Sequence, residues 1–570
     1  MVIEATTGVR KMPPCRAECP AHVNVQAYVS LIQRRKYKEA LEIIRQDLAF
    51  PAICGRVCFS PCQDACSRVD VDQAVAIRAL KKFVADIERK GEGSRPKQIP
   101  KTHKEKVAIV GAGPAGLMAA YELAKLGYPA TVFERMSEPG GMMRYCIPDF
   151  RLEKSVVAGE IDYIKALGVD IKTGVEFGKD ITIESLWKEG YLAIFLAIGT
   201  QGGMRLGVPG EDLQGVVSAV DFLKDVALRK PVRIGKKVAV VGGGNSAIDA
   251  ARTARRVGAK EVMILYRRSR EEMPALPSEV MEADRDGVQI NLLEAPKQIL
   301  GRNGEVMAIE CVHMKLGEPD ESGRRRPVPI TGSEHIYETD MVISALGQIA
   351  ESSSIPDPLL DKKSRTPLIQ ADPVTLETNL PGVFAGGDIV SGPASIIEAV
   401  AAGKKVAKSI DLYLTGRDFR KGREEKVVAT SWAKNQAVIK KVARYNAGEE
   451  TPRTNIEETL DRMETVEREA RWEACRCLGC GPCAECLGNT ELCEADKAVV
   501  DADLCIGCNV CAVVCPVDAV KKNEDNIAEV DRDLCKGCGI CAARCPTRAI
   551  SMEKMTDERI RSLTTPSCKE

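Results

Sequence analysis

KVAIVGAGPAGLMAAYELAKLGYPATVFE, residues 106–134, decides the fold. Lys106–Val110 is an apolar run of strand length that enters GAGPAG, Gly111–Gly116. An amphipathic helix to Gly127 follows, then a second strand ending at Glu134. G-x-G-x-x-G in a strand–turn–helix context, with an acid about twenty residues on, is a dinucleotide-binding fingerprint. Gly111 permits the tight turn, Gly113 lets a pyrophosphate approach the backbone, and Gly116 lets helix and strand pack closely. The helix N-terminus then faces the phosphates. Glu134 is placed to accept hydrogen bonds from a ribose, which suits an adenosine without a 2′-phosphate.

A second copy, KVAVVGGGNSAIDAARTARRVGAKEVMILYRRSR, spans 237–270. Gly242, Gly244 and Ala247 fill its G-x-G-x-x-A positions, and its second strand is Glu261–Tyr266. That strand ends in Arg267, Arg268, Ser269 and Arg270 instead of an acid. An acid there repels a 2′-phosphate, whereas Arg grips it through two hydrogen bonds, so this copy reads as the NADP(H) site. YRRSR as a merely solvated strand end is the blander reading. Its place after the second strand of a dinucleotide fold favours the phosphate. Two more apolar strands belong with the first copy: AIFLAIGT, Ala193–Thr200, and GVFAGGDIV, Gly382–Val390, with Asp388 at a C-terminal strand end where open α/β sheets bind ligands. Ala394–Asp411 reads as a helix starting at the isoalloxazine end of a flavin, its N-terminal dipole suited to a reduced anionic ring. The NADP domain is thus inserted into the FAD domain.

The 570 residues exceed one core and suggest three to five domains. With 81 basic against 81 acidic residues, nothing global favours nucleic acid or an anionic membrane. The Lys- and Arg-rich stretch 81–106 mixes in Gly, Pro and Ser and reads as a solvated linker. The N-terminus MVIEATTGVR lacks a signal-peptide pattern, and runs such as Tyr191–Ile198 fall far short of the roughly 20 residues that span a bilayer. A cytoplasmic chain with reduced thiols is expected.

The 23 Cys cluster at the two ends, leaving Cys146, Cys311 and Cys568 alone. Such clustering reads as metal ligation. CIGCNVCAVVCP at 505–516 and CKGCGICAARCP at 535–546 are the C-x2-C-x2-C-x3-C-P run of two-cluster bacterial ferredoxins. In that run the fourth Cys serves the other cluster. Cys505, Cys508, Cys511 and Cys545 are expected to hold one [4Fe–4S] cluster, and Cys535, Cys538, Cys541 and Cys515 the other; zinc does not require two such quartets in tandem. Upstream, Cys475, Cys477, Cys480, Cys483, Cys486 and Cys493 crowd nineteen residues. They read as ligands of a third cubane, with zinc or a [2Fe–2S] centre as alternatives. At the other end Cys15 and Cys19 precede a helical segment, Val25–Asp47, followed by Cys54, Cys58, Cys62 and Cys66 at four-residue spacing along a helix face or winding loop. These six thiols suit one cluster with two spares, or two clusters with a pair of non-Cys ligands.

KVAIVGAGPAGLMAAYELAKLGY, PGGMMRYCIPDFRLEK, VAVVGGGNSAIDAARTARRVGA, YRRSREEMPA and GVFAGGDIVSGPASIIEAVAAGKKVA together resemble the small subunit of NADPH-dependent glutamate synthase. They are equally similar to the large subunit of NADH-dependent ferredoxin:NADP oxidoreductase and the NADPH half of dihydropyrimidine dehydrogenase. The resemblance runs from Cys15 to about Leu414. It implies FAD contacts at Gly111, Gly113, Pro114, Ala115, Gly116, Glu134, Arg135, Gly141, Met142, Arg144, Gly199, Thr200, Gly387, Asp388, Ala394 and Ser395. It implies NADP contacts at Gly242, Gly244, Asn245, Ser246, Ala247, Arg267 and Arg268. The N-terminal module is shorter than in the glutamate synthase subunit, so its cluster count is not carried over. Cys146 stands where relatives often have Gly and reads as a packing residue. The Cys-rich tail is an addition, similar to ferredoxin-type tails on electron-transfer subunits of anaerobes.

The expected fold class is α/β: two Rossmann-like domains, the NADP domain inserted in the FAD domain, flanked by a helical Fe–S domain and a C-terminal 2[4Fe–4S] ferredoxin-like α+β domain. The expected boundaries are a cluster domain at 1–88, a linker at 89–104, FAD domain at 105–228 and 346–415, NADP domain at 229–345, helical connector at 416–473 with a break at Gly448–Arg453, and Cys-rich tail at 474–570. The expected function is electron transfer between NADP(H), FAD and at least three [4Fe–4S] clusters, to or from ferredoxin or a partner subunit of a hetero-oligomer, with no catalytic side chain required. An electron-bifurcating subunit shares every motif. A non-enzymatic nucleotide-sensing scaffold is the alternative of another class. A thioredoxin-reductase-like enzyme needs a redox C-x2-C in the nucleotide domain, where only Cys311 occurs.

Overall fold

A computed structural model of the chain describes residues 9–91, 96–320, 323–351, 355–361, 364, 366–420, 423, 426–429, 456–478, 480, 497–515, 519–532, 534–535 and 540–553. They fall into two compact units, Pro96–Phe419 and Met1–Arg95 with Arg420–Glu570.

In the first unit, Lys106–Val110 is the middle strand of a five-stranded parallel sheet. The order is Val383–Ala385, Tyr191–Leu196, Lys106–Val110, Ala130–Glu134, Asp170–Thr173. Four of the five residues of Lys106–Val110 are buried, as a continuous apolar run requires when both sheet faces are covered. The fingerprint helix Pro114–Lys125 packs on the helix Ile396–Leu414. Gly403 permits that approach: a Cβ there would lie 2.3 Å from the Ala115 carbonyl oxygen. A second parallel sheet runs Gln289–Leu292, Glu261–Tyr266, Lys237–Val241, Met341–Ser344, Val216–Ser218. Its strands lie in sequence between those of the first sheet. A two-stranded link, Gly202–Gly203 with Gln348–Ile349, sits where the chain leaves and re-enters the outer domain. After Gln289–Leu292 comes an antiparallel sheet of Glu294–Arg302, Glu305–Pro319, Arg325–Pro329 and His335–Glu338.

A buried charge network fastens the two nucleotide halves. Arg151 reaches Asp249 at 2.5 Å and Glu279 at 3.2 Å. Arg252 reaches Asp286 at 2.7 Å and Glu279 at 3.1 Å. The Phe150 ring lies under the guanidinium groups of Arg252 and Arg256. Removing one partner from such a network leaves a buried charge uncompensated.

The second unit contains the N-terminal helices Val25–Gln33, Tyr37–Asp47, Pro51–Val57, Pro61–Asp64 and Ile77–Lys90. The helical segment expected over Val25–Asp47 is two helices. Arg35 between them takes a left-handed conformation, φ +61°, which ends the first helix and turns the chain back. The helix Ile456–Cys475 packs on Val25–Gln33 and Ile77–Lys90, and Val9–Met12 pairs in parallel with Lys426–Ala429. The expected break at Gly448–Arg453 lies outside the described residues. The tail forms two antiparallel strand pairs, Ala498–Val500 with Ile550–Met552 and Val520–Lys522 with Ala528–Val530, plus the short helices Val510–Val514 and Ile540–Arg544. Among the described residues no helix is long and apolar enough to cross a membrane.

Candidate functional site

The fingerprint glycines divide into those that pack and those that leave room. A Cβ on Gly116 would lie 2.0 Å from the Gly111 carbonyl oxygen, and one on Gly111 would lie 2.4 Å from that of Ala197. Gly111 also has φ +105°. A Cβ on Gly113 would meet nothing within 4 Å. This open backbone borders a cleft of about 700 Å³. The cleft gathers Gly111, Gly113, Pro114, Ala115, Glu134, Gly141, Met142, Gly199, Thr200, Gly387, Asp388, Ala394 and Ser395. Its lining, its open glycine and the helix N-terminus at Pro114 fit an FAD. Gly116 serves the helix–strand contact from behind. Arg144 does not line the cleft; it donates to the Pro139 carbonyl at 2.8 Å and pairs with Glu138.

Glu134 is 4% exposed and accepts the Ala112 and Met136 amides at 2.8 and 2.9 Å. Burial pushes its carboxyl up, partly offset by those amides. A carboxylate offers about four lone-pair positions, so room remains for a ribose hydroxyl. Beyond it, Arg135 pairs with Glu351 at 2.5 Å and donates to Gln201 at 2.7 Å, forming a wall at the adenosine end. Gln201 and Glu351 belong to no motif, and only the fold brings them there. Asp388 is pushed up to about 6 by burial, with an opposing hydrogen bond from the Ala394 amide. Helix Ile396–Leu414 starts beside it, closed by a capping box between Ser395 and Glu398.

The second cleft is larger, about 1390 Å³, and is lined by Gly242, Gly244, Ser246, Arg267 and Arg268. Gly242 has φ +146°, and a Cβ there would lie 2.4 Å from the Ala345 carbonyl. A Cβ on Gly244 would meet only Pro274, at 3.9 Å. The open glycine and the basic rim fit a phosphorylated dinucleotide. Ala247 is buried in the core behind the turn, and Asn245 accepts the Leu276 amide at 3.0 Å, bracing the wall. The two arginines differ. Arg268 is buried, 2.5 Å from Asp320 and donating to the Arg325 carbonyl at 2.8 Å. Arg267 is exposed at the rim. Arg324, just before the strand Arg325–Pro329 of the antiparallel sheet, lines the same cleft and carried no sequence signal.

In the second unit, Cys505, Cys508 and Cys511 meet Cys545 around one shallow pocket. Burial raises the Cys545 thiol, but the Thr547 hydroxyl and the amides of Thr547, Ala549 and Ile550 pull it below its ordinary value. Cys515, Cys535 and Cys541 are buried nearby in the same core; Cys538 lies outside the described residues. In the N-terminal module Cys54 sits in Pro51–Val57, Cys58 caps it and Cys62 lies in Pro61–Asp64, so the evenly spaced thiols follow a winding path. Lys81 is 4% exposed among them. Burial alone lowers its pKa, yet the charges of Cys58, Cys54, Cys62 and Cys19 outweigh burial and raise it.

Cys477 and Cys480 are brought to this N-terminal module. Arg476, its side chain 1% exposed, bonds Asp72 at 2.8 Å, the Gln73 carbonyl at 2.6 Å and Glu473 at 2.6 Å. Arg68, two residues beyond Cys66, donates to the Arg476 carbonyl at 3.2 Å. Gln33 donates to the Cys475 sulfur at 3.4 Å; Cys475, expected as a metal ligand, is disulfide-bonded here, so its sulfur is not free to ligate. The Cys15 thiol, raised first by burial, is raised further by Cys477, Cys62, Cys66 and Cys480. Cys483, Cys486 and Cys493 lie outside the described residues.

Comparison with known proteins agrees with both units. The pyridine nucleotide-disulphide oxidoreductase family matches residues 105–403. The dihydropyrimidine dehydrogenase domain II, 4Fe-4S cluster family matches 8–92, and the 4Fe-4S dicluster domain matches 498–552. The chain is 46% identical over 426 residues to the NADP(+)-dependent formate dehydrogenase subunit beta of Moorella thermoacetica, covering 70% of this chain and 60% of that subunit. It is 38% identical over 533 residues to the NADPH-Fe(3+) oxidoreductase subunit beta of Geobacter sulfurreducens, covering 83% of this chain and 77% of the relative. It is 36% identical over 423 residues to the glutamate synthase [NADPH] small chain of Escherichia coli, covering 70% and 89%. The chain belongs to the pyridine nucleotide-disulphide oxidoreductase family and is an iron–sulfur flavoprotein oxidoreductase of the glutamate synthase small-chain type, with 4Fe–4S domains at both ends.

Proposed function

We propose that this chain is the NADPH-handling subunit of a hetero-oligomeric electron-transfer enzyme, exchanging electrons with ferredoxin or a partner subunit. The observation that carries the nucleotide choice is Arg267, exposed at the rim of the second cleft where a 2′-hydroxyl-binding acid is missing. The related beta and small chains are themselves subunits by name.

When bound, the flavin converts an electron pair from the nicotinamide into single electrons for the clusters. The protein's residues do the rest by placement. Glu134 and Arg135 hold the adenosine end, Gly113 and the N-terminus of the helix that starts at Pro114 admit the pyrophosphate, and Asp388 holds the ribityl side. Gly242 and Gly244 admit the second pyrophosphate, and Arg267 with Arg324 grips the 2′-phosphate. Arg268 acts behind them, fixing Asp320 and the ribbon that carries Arg324.

The cysteines sort into four quartets. Cys505, Cys508, Cys511 and Cys545 hold one tail cluster; Cys535, Cys538, Cys541 and Cys515 hold the other. Cys19, Cys54, Cys58 and Cys62 hold a third around Lys81. Cys15, Cys66, Cys477 and Cys480 hold a fourth, with half its ligands supplied from beyond the Ile456–Cys475 helix. Single and double serine variants test this last quartet by iron count. Cys15→Ser, Cys477→Ser and the double variant should each lose about four iron atoms per chain. Additive loss in the double variant would mean two separate clusters. For the nucleotide, Arg267→Ala should raise the NADPH Michaelis constant roughly 10- to 100-fold, as loss of a charge-assisted pair implies, and leave that for NADH nearly unchanged. Equal effects on both cofactors would refute the assignment.

A further inference from the structure

The chain has four histidines, and two of them share one site with a buried glutamate. Glu294 begins one strand of the antiparallel sheet and stands directly opposite His313. Cys311 pairs with His335, so His335 lies diagonal to His313 on the same face. The His313 Nδ1 is 2.7 Å from Glu294 Oε1, and the His335 Nε2 is 3.1 Å from Glu294 Oε2. The two imidazole rings stack at 4.3 Å. One ligand atom from each residue lies within 4.8 Å of the others.

This cluster differs from an ordinary hydrogen-bonded patch. Glu294 is 4% exposed, yet its Oε2 has no hydrogen-bond partner, and neither has the buried His335 Nε2 that faces it. The other ring nitrogen of His335, Nδ1, is 3.0 Å from the Ser333 carbonyl. A carbonyl only accepts, so Nδ1 carries the proton, and in the neutral ring Nε2 presents a lone pair. Nε2 and the carboxylate oxygen, 3.1 Å apart and away from water, call for a cation between them, either a second proton on the ring or a metal ion. Ser333 also supports the second ring's strand, its hydroxyl accepting the His313 amide at 3.0 Å. A backbone carbonyl orienting the far nitrogen of a ligating histidine is the usual outer support of a metal site.

We propose that Glu294, His313 and His335 bind one divalent transition-metal ion, with zinc the best match to the donor set. Two imidazoles and a carboxylate with bonds of about 2.0–2.1 Å place tetrahedral donors about 3.3 Å apart; the contacts to the carboxylate are 2.7 and 3.1 Å and all three donors lie within 4.8 Å, so the side chains need only small shifts to enclose an ion. His313 is half-exposed, so the site opens to solvent and keeps a further coordination position. Glu294 also lines the second nucleotide cleft, so the ion braces the junction of cleft wall and ribbon. The inference does not depend on which nucleotide that cleft takes.

The test must separate this site from the cysteine clusters, which scavenge zinc. Full-length holoprotein is equilibrated anaerobically with zinc chloride, then analysed for metal content and by X-ray absorption at the zinc edge. Wild type should hold roughly one zinc per chain more than His313→Gln or His335→Gln, with iron unchanged in all three. The zinc that distinguishes them should show N/O neighbours at about 2.0–2.1 Å and no sulfur at about 2.3 Å. Zinc binding equal in wild type and both variants, or a sulfur shell at about 2.3 Å on the zinc that the variants lose, overturns the proposal. Both variants keep a polar side chain at a partly exposed position, and their unchanged iron reports that the fold is intact.

Discussion

At the residue scale, the fingerprint glycines make opposite predictions. Gly113→Ala places its methyl in open space, so the fold should persist while FAD content falls. Gly116→Ala drives a methyl into the Gly111 carbonyl and should lower both flavin content and melting temperature. Equal melting losses in the two variants would contradict the division. Asp388 adds a pH effect. Its carboxyl is raised to about 6 by burial, so its contribution to stability is complete below the unfolded value near 4 and is lost as pH rises through about 6. Asp249 is pushed the same way, also to about 6. The flavin-release temperature should therefore fall as pH rises from about 4 to about 6 and level off above that, and Asp388→Asn, neutral throughout, should shrink that fall without abolishing it. An unchanged slope would show that Asp388 is not the group. Most cleft residues were legible in the sequence because glycine turns and strand-end charges carry local signatures. Gln201, Glu351 and Arg324 were not, since they reach the clefts from segments whose local sequence has no motif. The different work of Arg267 and Arg268 was equally hidden, because it depends on Asp320 arriving across the sheet.

At the element scale, the helix Ile456–Cys475 carries the Cys-rich segment to the N-terminal module, and Arg476 anchors its end. Arg476→Ala leaves the buried Glu473 carboxylate without its paired charge, while Asp72 keeps Arg68, and should cost about 3–5 kcal/mol locally. Chemical denaturation followed by cluster absorbance should show one cluster bleaching early, with flavin fluorescence unaffected. Bleaching of every centre at a single midpoint would instead mean global unfolding. Spacing alone marked Cys475–Cys493 as ligands. It gave no reason to bring Cys477 and Cys480 near Cys15 and Cys66, more than four hundred residues away, because that approach rests on Arg476, Arg68 and Asp72. The turn at Arg35 was masked for a related reason: apolar positions keep helical spacing on both sides of it, and the left-handed residue is an arginine instead of the usual glycine. The antiparallel ribbon from Glu294 to Glu338, which brings Arg324 and the His313–His335 pair into place, is announced only by the Asn303-Gly304 hairpin turn, both residues at positive φ; that turn sets the register of the first two strands and not that of Arg325–Pro329 or His335–Glu338.

At the scale of the whole molecule, the two nucleotide domains were legible because each parallel strand is an apolar run bounded by a functional turn. The insertion of one in the other is visible in strand order: the second sheet is completed before Val383–Ala385 returns to the first. The central claim is that NADPH is the nucleotide that communicates with the clusters through the flavin. Anaerobic titration of the full-length protein with NADPH and, separately, NADH, followed by flavin absorbance and cluster EPR, tests it most directly. Flavin bleaching followed by reduced-cluster signals at low NADPH, with NADH effective only at far higher concentration, is the predicted result. Equal responses to the two nucleotides, or no response to NADPH, would contradict it.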